Sequence, residues 1–336
     1  MRSRRRRLPV ILSATVLAVT AVAGTVSATA DSVAEGAADD FVYDVYADAS
    51  HTVEIPGVAT DLSLDDGQSV YLWTRDLAAE NVTALSSGEN IGTTFGLKCR
   101  NADGTDLDAT EQGTYWAANL VPPGETQLKP TLRWLFTPPA AGDYHCFGTV
   151  TGYSSVVAGG KDVQMRIPAG ASLAQHAYPA ARSWMLPQES ERVVSAGQEV
   201  TTLGVDYRLG TDEPKIAVVQ DANLTTCKPG SHPCGEGSGG VNGATVRTVI
   251  TVKQLNADDT ECAAPISGEP ATRRITDAKH HLAATNTLYL ERSQLADCDH
   301  LRLSLVVTVT DGNPVVLHGG LSSGMSRSHG VVFEYA

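Results

Sequence analysis

The chain contains one sequence pattern twice. "KCRNADGT" begins at Lys98 and "KQLNADDT" begins at Lys253, so Lys-x-x-Asn-Ala-Asp-x-Thr recurs after 155 residues. Two further pairs follow the same order: "DDGQSV" at Asp65 with "SAGQEV" at Ser195, and "FGTVTG" with "VVTVTD". Ordered self-similarity at a long period indicates that one structural unit is present twice, because each copy builds the same elements. We therefore expect two domains of one kind.

Both halves show the alternation typical of β-strands. In the first half Phe95, Leu97 and Cys99 alternate with glycine and polar residues. In the second half a longer alternation runs from Leu301 to Val309. A period of two is expected for a strand with one buried face. Short strands separated by clusters of Gly, Pro, Asn and Asp predict an all-β fold of two tandem antiparallel β-sandwiches.

Composition suggests the domain boundaries. Residues 1–30 have an arginine-rich head, an apolar stretch and Ala28-Thr29-Ala30, the small-x-small pattern of a cleaved signal peptide. The segment from Pro168 to Ser190 has three prolines and no alternation. We expect the following division: signal peptide 1–30, N-terminal tail 31–49, first sandwich 50–168, linker 169–190, and second sandwich 191–336 with an insertion at 225–243.

The predicted signal peptide implies a secreted, extracellular protein. Its removal takes away five arginines and no acidic residue, which changes the formal net charge from −13 to −18. A strongly negative surface repels the phosphates of nucleic acid and anionic lipid head groups, so nucleic-acid binding is excluded. The last residues, "HGVVFEYA", contain no apolar span, and we expect no membrane span after the signal peptide is removed.

Six cysteines in an exported chain predict three disulfides, because disulfides persist in oxidising compartments. Six cysteines allow fifteen pairings, so spacing alone does not choose among them. Cys227 and Cys234 would close a short local loop. Zinc is the competing interpretation there, since His232 lies between the two cysteines, but a second close Cys/His pair is missing.

The stretch "FTPPAAGDYHC" resembles the end of an immunoglobulin-like domain, in which Gly-x-Tyr-x-Cys forms a tyrosine corner. The resemblance covers the first half only. It implies that the Tyr144 hydroxyl bonds the chain corner and that Cys146 faces Cys99 across the two sheets. The third disulfide is then Cys262–Cys298 by exclusion. Such a resemblance concerns topology and implies no immune function.

The repeats also predict how the second half differs. The third repeat pair places Cys146 at Leu305, and the "NAD" pair places Cys99 at Gln254. We therefore expect the second half to lack the core disulfide and to hold an apolar residue in its place. "NADGT" and "NADDT" are expected to be turns after equivalent strands, because Asn, Asp and Gly tolerate unusual backbone angles.

The sequence contains only weak signals for a metal or catalytic site. Oxygen ligands at alternate positions around Gly104 resemble a calcium loop, but the closing glutamate is missing, so we expect a turn at Asn101, Asp103, Asp106 and Asp108. "GLSSG" around Ser322 fits the Gly-x-Ser-x-Gly elbow, but only twelve residues follow it to supply an acid and a histidine.

The histidines are also expected to be structural. His280 and His281 are adjacent and would point to opposite faces of a strand, and His145 is expected to point outward beside an inward Cys146. All three are therefore interpreted as surface residues. We expect no catalytic, cofactor-binding or metal site.

Two features remain as candidate binding elements. Four tryptophans either stack on sugars or belong to the cores: Trp73, Trp116, Trp134 and Trp184. The glycine-rich insertion from Thr225 to Gly243 either recognises a ligand or is a tolerated insertion. The prediction is a secreted, non-enzymatic binding or envelope-associated protein with an unknown protein or polysaccharide ligand. The alternatives are an accessory carbohydrate-binding module or inhibitor acting with secreted enzymes, and third a secreted hydrolase.

Cleavage after Ala30 should leave a mature chain that begins at Asp31, because small residues occupy both recognition positions of the cleavage site. N-terminal sequencing of secreted material measures this directly. A first residue well beyond Phe41 would contradict the assignment of the signal peptide.

Overall fold

The computed structural model describes residues 32–33, 36–107, 113–227, 242–320 and 325–336. In these ranges the regular secondary structure is almost entirely β-strand, with one short helix, α1, at Ser155–Ala158 and 3-10 turns at Gln188–Ser190 and Arg292–Gln294. The described residues contain no helix long and apolar enough to cross a membrane. The predicted all-β class is confirmed.

The strands are numbered in chain order. The first twelve are β1 Ser32–Val33, β2 Phe41–Asp44, β3 Val53–Leu64, β4 Val70–Arg75, β5 Ala79–Asn81, β6 Ile91–Asn101, β7 Gly113–Leu120, β8 Gln127–Leu128, β9 Arg133–Phe136, β10 Gly142–Tyr153, β11 Gln164–Ile167 and β12 Ser172–His176. The others are β13 Arg182–Met185, β14 Arg192–Val194, β15 Glu199–Tyr207, β16 Lys215–Thr226, β17 Ala244–Leu255, β18 Glu261–Ser267, β19 Ala271–Ile275, β20 His281–Glu291, β21 His300–Gly312, β22 Val315–Leu317, β23 Met325–Ser326 and β24 His329–Tyr335.

The first half of the chain forms a β-sandwich. One layer is the sheet β23-β7-β6-β10-β3, and the other consists of the sheets β1-β12-β4-β9 and β2-β11-β5-β8. Inward residues of these layers share one hydrophobic core, which includes Phe95 of β6, Leu72 of β4 and Met165 of β11. Strand alternation produces this arrangement, because every second side chain points to the same face.

The second half forms another sandwich around its own core. The sheet β13-β24-β16-β22-β14, to which β20 adds at β16, faces the sheet β15-β21-β17-β18, to which β19 adds at β17. The alternating residues predicted to be buried in "LRLSLVVTV" lie in this core, and Leu303, Leu305, Val307 and Val309 have no exposed surface. Antiparallel sandwiches are thus present in both halves.

The structure contains the Cys99–Cys146 and Cys262–Cys298 disulfides. The Tyr144 hydroxyl donates to the Ala140 carbonyl at 2.6 Å, as the tyrosine-corner resemblance implies. One implied feature is wrong: Cys146 pairs with Cys99 on the neighbouring strand of the same sheet, so the bond does not cross between the two sheets. Both cysteines face the core whether the bond joins neighbouring strands or facing sheets. Strand alternation alone therefore does not distinguish these two arrangements. The finer immunoglobulin-like topology therefore stays a prediction.

The "NAD" repeats form the same turn twice. In each copy the asparagine amide donates to the threonine hydroxyl four residues later, at 2.8 Å from Asn101 and 3.0 Å from Asn256. Positive φ follows at Gly104 (88°) and Asp259 (64°). Asp259 stands at the position of Gly104 in the repeat. It therefore adopts the left-handed backbone conformation, which glycine adopts more readily.

The register predicted for the second half needs correction. With the two "NAD" turns superposed, Cys99 corresponds to Gln254, and Gln254 pairs with Leu301 in the sheet. The residue at the position of Cys146 is therefore Leu301, and the predicted Leu305 is four residues away. A shift by four residues keeps the same face of a strand buried, so the apolar pattern does not detect it. An apolar residue does occupy the position, since Leu301 is buried.

The "GQ" repeats also form matching turns, but in different surroundings. Gln68 and Gln198 each bond back to the residue three positions earlier, Asp65 and Ser195, through both backbone and side chain. The strands that follow are not equivalent. β15 pairs with β21, whereas β4 pairs with β12 and β9 in the opposite layer. Shared turn chemistry therefore does not by itself establish a duplicated topology.

Two segments predicted to be irregular contain strands. In the expected tail 31–49, β1 pairs with β12 and β2 pairs with β11. In the expected linker 169–190, β12 pairs with β4 in the first half and β13 pairs with β24 in the second. The connection between the sheets is therefore only residues 177–181.

The two sandwiches pack on each other through the outer faces of two sheets. Even-numbered residues of β16 from Ile216 to Leu224 point into the second core, while Ala217 and Val219 contact Tyr71 and Phe333 in a third apolar cluster. β23 pairs in parallel with β7, so a strand from near the C-terminus completes a first-half sheet. The halves thus form a layered assembly.

Several predicted features lie outside the described residues. These are the signal peptide 1–30, Asp108 of the calcium-like segment, most of the 225–243 insertion with His232 and Cys234, and Ser322 of the "GLSSG" elbow. The predicted Cys227–Cys234 bond and the Ser322 interpretation therefore stay predictions.

The two described disulfides should differ in access to reductant. Cys99 and Cys146 are 3% and 0% exposed, whereas Cys262 and Cys298 are partly exposed at the sandwich edge. We expect mild reduction of the native protein, followed by alkylation and peptide mapping, to label Cys262 and Cys298 first. Labelling of Cys99 at the same reductant concentration would contradict the packing described for the first core.

Candidate functional site

An aromatic cleft of about 360 Å³ lies where the two sandwiches meet. Its floor is Ala217 and Val219 of β16. The aromatic residues of the cleft come from β4, β20, β24 and the connection after β12, and they are Tyr71, Trp73, Tyr178, Tyr289, Phe333 and Tyr335. Clefts between two units, lined by aromatic rings with a few polar groups, are common ligand sites.

The inner rings of the aromatic cleft are packed together. Tyr178 stacks on Phe333 with ring centres 4.0 Å apart and planes 9° apart, and Tyr71 packs against Phe333 at 4.9 Å. Burial raises the pKa of Tyr71, so its phenol stays protonated and retains a hydrogen-bond donor. These three rings form a fixed inner wall.

The outer rings are more exposed. Tyr289 is 67% exposed, and its ring centre lies 6.4 Å from that of Tyr335. Trp73 is half-buried beside Tyr71, and the Arg75 guanidinium carbon lies 5.5 Å from its ring centre. Exposed aromatic rings present flat apolar faces, and these two are the faces of the cleft that are available for a ligand to stack on.

A buried ion pair lies next to the cleft floor. Arg133 of β9 forms a two-pronged contact with Asp221 of β16, and their side chains are only 12% and 8% exposed. Arg133 also donates to the Thr287 hydroxyl at 2.5 Å and to the Asn286 carbonyl at 3.3 Å. A planar guanidinium suits such forked contacts, and they fix one half against the other.

His329 supports this ion pair from the other side. Its Nε2 bonds to the Arg133 carbonyl at 2.7 Å, and its Nδ1 lies 3.1 Å from the Thr114 hydroxyl of the first half. Burial lowers the pKa of His329 below its usual value, although Asp221 opposes this effect. The imidazole is therefore neutral at neutral pH and acts as a hydrogen-bonding spacer.

The strand that carries Phe333 and Tyr335 is anchored by Glu334 between them. This buried carboxylate accepts hydrogen bonds from the Tyr207 hydroxyl at 2.6 Å, from Gly210 N at 2.7 Å and from Arg292 at 2.9 Å. Burial alone would raise the pKa of Glu334, but these hydrogen bonds lower it. A fully bonded buried carboxylate holds the neighbouring rings in one orientation.

The aromatic cleft continues into a wider groove. Tyr178 and Tyr335 also line a depression of about 810 Å³, and its lining includes Asp65, Asp66 and Glu213 as well. The aromatic cleft and this groove adjoin, because they share Tyr178 and Tyr335 as lining residues.

The four tryptophans do not form one platform. Only Trp73 lies in the aromatic cleft. Trp116 packs edge-on against Phe95, and both Trp116 and Trp134 contact the first core. Trp184 donates to the Leu203 carbonyl at 2.9 Å and packs on the second core. The core interpretation is therefore correct for three tryptophans.

The predicted calcium-like segment forms a self-contained turn. The Asp103 carboxylate accepts from both the backbone and the hydroxyl of Thr105, at 2.9 and 2.7 Å. These two hydrogen bonds lower the pKa of Asp103. One of the two carboxylate oxygens, Asp103 Oδ1, is thus bonded within the turn.

The histidines behave differently from one another. His145 points outward between Asp61 and Glu54, at 2.7 and 3.0 Å, and although burial lowers its pKa, these two bonds raise it overall. The rings of His280 and His281 lie 4.1 Å apart, so the expected opposite orientation is wrong. His280 precedes the strand, which frees it from strand alternation.

One group of potential metal ligands occurs among the described residues. Ligand atoms of Asp206, Asp259 and His300 lie within 4.8 Å of one another. However, Arg302 donates to both Asp206 oxygens, at 2.7 and 3.1 Å, and to Asp259 at 3.0 Å. The guanidinium already occupies the position of a cation, so this group forms an ion-pair network.

A second polar group resembles a catalytic relay. The Glu191 carboxylate lies 2.9 Å from His318 Nδ1, and His318 Nε2 lies 2.7 Å from the Thr225 hydroxyl. His281 Nδ1 also approaches this hydroxyl, at 2.9 Å. The Thr225 hydroxyl therefore lies between two imidazole rings, and the tautomers of His281 and His318 decide which ring it donates to.

The sequence does contain a signal for the aromatic cleft. "VYLWT" places Tyr71 and Trp73 on one strand face, and "VVFEYA" does the same for Phe333 and Tyr335. Alternating aromatic residues opposite a buried face indicate an aromatic outer surface. The tryptophans alone do not indicate the aromatic cleft, because tyrosine and phenylalanine supply the other rings.

No protein-family model matches the chain, and no curated protein matches it. The search of solved structures found the N-terminal tandem CBM22 domain of Paenibacillus barcinonensis Xyn10C, with 8% identity, 91% and 99% coverage of the two chains and a TM-score of 0.25. It also found infectious bursal disease virus, Gx strain (9%, 88% and 76%, 0.26), and Broad Bean Stain Virus (10%, 96% and 94%, 0.26). Similarity at this level indicates neither a common family nor a common ligand.

Replacing Arg133 by Met should destabilise the protein by about 3–5 kcal/mol, because it leaves Asp221 buried without its partner. Urea unfolding measures this. The double variant Arg133→Met with Asp221→Leu should recover most of the loss, since no unpaired charge remains. Arg302→Met, which removes an exposed pair, is the matched control and should shift the urea midpoint much less than Arg133→Met, because solvent screens exposed pairs. Equal losses for the two single variants would contradict the burial of the pair.

Proposed function

We propose that the protein is an exported, non-enzymatic binding protein whose aromatic cleft holds a carbohydrate chain. The observation that carries the proposal is the convergence of six aromatic rings at the boundary of the sandwiches, with Tyr289 and Trp73 accessible to solvent. The signal-peptide pattern and the disulfides support export, because disulfides persist outside the cytoplasm.

A sugar suits the aromatic cleft chemically. A pyranose presents a C–H face that packs on an aromatic ring and hydroxyls that point to its sides. Tyr289 and Trp73 supply the rings, and Thr74, Thr131 and the edge of Arg133 supply polar groups in the same cleft. Apolar surface combined with a few fixed hydrogen-bonding groups is the usual composition of a small-molecule site.

The shape favours a polymer over a single sugar. The aromatic cleft opens into the groove beyond Tyr178 and Tyr335, so a chain that enters the cleft has room to continue. An accessory role beside secreted enzymes, or retention of the protein at an envelope polysaccharide, follows equally from such binding.

The test is affinity electrophoresis and pull-down against cellulose, xylan, chitin and β-glucans, followed by calorimetry with oligosaccharides of the best binder. Tyr289→Ala and Trp73→Ala should each weaken binding at least tenfold, or about 1.4 kcal/mol. Tyr46→Ala is the matched control: Tyr46 is 36% exposed, stacks on His51 at 3.8 Å, and lies away from the aromatic cleft. The oligosaccharide affinity of the Tyr46→Ala variant should equal that of the wild type.

Unchanged binding in both cleft variants would overturn the site, and the absence of any glycan binding would overturn the ligand class. Thermal melting of each variant distinguishes a lost contact from a lost fold. Tyr289→Ala should melt close to the wild type because the side chain is largely in water.

A further inference from the structure

A second cavity between the sandwiches, of about 170 Å³, lies along the same face of β16 beyond Asp221. The first half contributes Tyr115 and Tyr153. The second half contributes Asn223, Thr225, His281, His318 and Arg327. We call it the boundary cavity. Its volume is below the 300–1,000 Å³ typical of sites for drug-sized ligands, so it suits only a small ligand.

Arg327 brings a positive charge without a direct ion-pair partner to the boundary cavity. Its Nε is buried and has no hydrogen-bond partner among the described residues. One Nη lies 3.0 Å from His318 Nδ1, and the guanidinium carbon lies 5.5 Å from the Tyr115 ring centre. No carboxylate of the described residues lies within 4.0 Å of this guanidinium, although Glu191 is near, because its carboxylate lies 2.9 Å from the same His318 Nδ1. A partly buried guanidinium without a direct ion-pair partner is less favourable than a paired one.

The fold fixes Arg327 through its backbone. The Asn223 amide donates to the Arg327 carbonyl and, at 2.9 Å, to the Tyr115 carbonyl on the edge of β7. Ala117 N donates to the Asn223 side-chain oxygen at 3.4 Å. The guanidinium is therefore held at the boundary without an ion pair to place it there.

Hydroxyl groups in the same cavity supply further donors. Burial raises the pKa of Tyr153, so its phenol is protonated, and Arg327 lies close enough to oppose part of that effect. Gly92 makes room for this ring, because a Cβ there would lie 2.2 Å from Tyr153 Cζ. The Tyr153 phenol and the Arg327 guanidinium are the polar groups that remain for a bound ion.

We propose that the boundary cavity binds a small oxyanion, such as phosphate, sulfate or a carboxylate, through the Arg327 guanidinium and the Tyr153 hydroxyl. Guanidinium groups pair with planar or tetrahedral oxyanions through charge-assisted hydrogen bonds, so a bound oxyanion would supply a direct ion-pair partner for Arg327 and a hydrogen-bond acceptor for its Nε. The net negative charge of the protein repels anions in general, so anion binding at this site depends on the local charge of the Arg327 guanidinium.

The experiment is calorimetry of the full-length secreted protein with inorganic phosphate, sulfate and glucuronate in chloride at constant ionic strength. We expect saturable binding of at least one anion, weakened at least tenfold by Arg327→Gln and by a smaller factor by Tyr153→Phe. Phosphate and sulfate represent free inorganic ions, and glucuronate represents the carboxylate of an acidic sugar. Dependence of any of them on Arg327 supports the proposal.

Arg208→Gln is the charge-matched control, because Arg208 is exposed in the same half and away from the boundary cavity; its anion affinity should equal that of the wild type. Tyr289→Ala should also leave anion binding unchanged, which separates this site from the aromatic cleft. A wild-type protein that binds none of the three anions overturns the proposal. So does an Arg327→Gln protein with wild-type affinity. Tyr153→Phe removes one hydroxyl only, so the test stands even if Arg327→Gln does not fold.

Discussion

The packing of one sandwich on the outer face of the other is the constraint on which the rest of the structure depends. β16 is central to it, because its even-numbered side chains fill the second core and its odd-numbered side chains meet the first half. Along that odd row Ala217 and Val219 are apolar, Asp221 is paired with Arg133, and Asn223 bonds the edge of β7. A strand buried on both sides cannot belong to a freely hinged domain.

Both ligand sites are consequences of this packing. The aromatic cleft exists because β4 of one half lies beside β24 of the other, and neither half alone brings Tyr71 next to Phe333. The boundary cavity likewise requires Tyr153 from the first half and Arg327 from the second. The buried Arg133–Asp221 pair lies between the two sites. Charged pairs in low dielectric require exact geometry to be favourable, so this pair specifies one arrangement of the halves.

Much of the fold was predictable because strand alternation reports burial directly. The all-β class follows from it, and so do the buried alternate residues of β21. Register was not predictable, because a shift from Leu301 to Leu305 leaves the same face inward. The prediction that the Cys99–Cys146 bond crosses between the sheets was wrong for a similar reason. Two inward cysteines come together both on neighbouring strands and on strands of facing sheets.

The short strands were missed for a different physical reason. β12 has five residues and β13 has four, and prolines at positions 168, 179 and 187 flank them. Such short runs show too few alternations to distinguish a strand from an irregular linker. Their pairing is decided by long-range partners, β4 and β24, that local sequence does not reveal.

The candidate site could be only partly predicted, because it is assembled from distant segments. Trp73 was identified from its residue type, whereas Tyr178, Tyr289 and Tyr335 come from three separate places in the chain. Nothing in the sequence distinguished Arg327 from other arginines, because the absence of an ion-pair partner depends on which residues surround it in the fold. Both candidate sites are thus defined by which residues lie next to each other in space, and residue type alone does not identify them.

Location at a boundary also determines what binding does to the protein. A ligand that contacts both halves binds the packed arrangement and has no site when they separate, so it stabilises that arrangement by mass action. The aromatic cleft and the boundary cavity share β16 as one wall, at Val219 and Asn223. Occupation of either site therefore favours the same arrangement of β16 against the first half. Because such coupling is reciprocal, any effect of an oxyanion on glycan affinity must equal the effect of the glycan on oxyanion affinity.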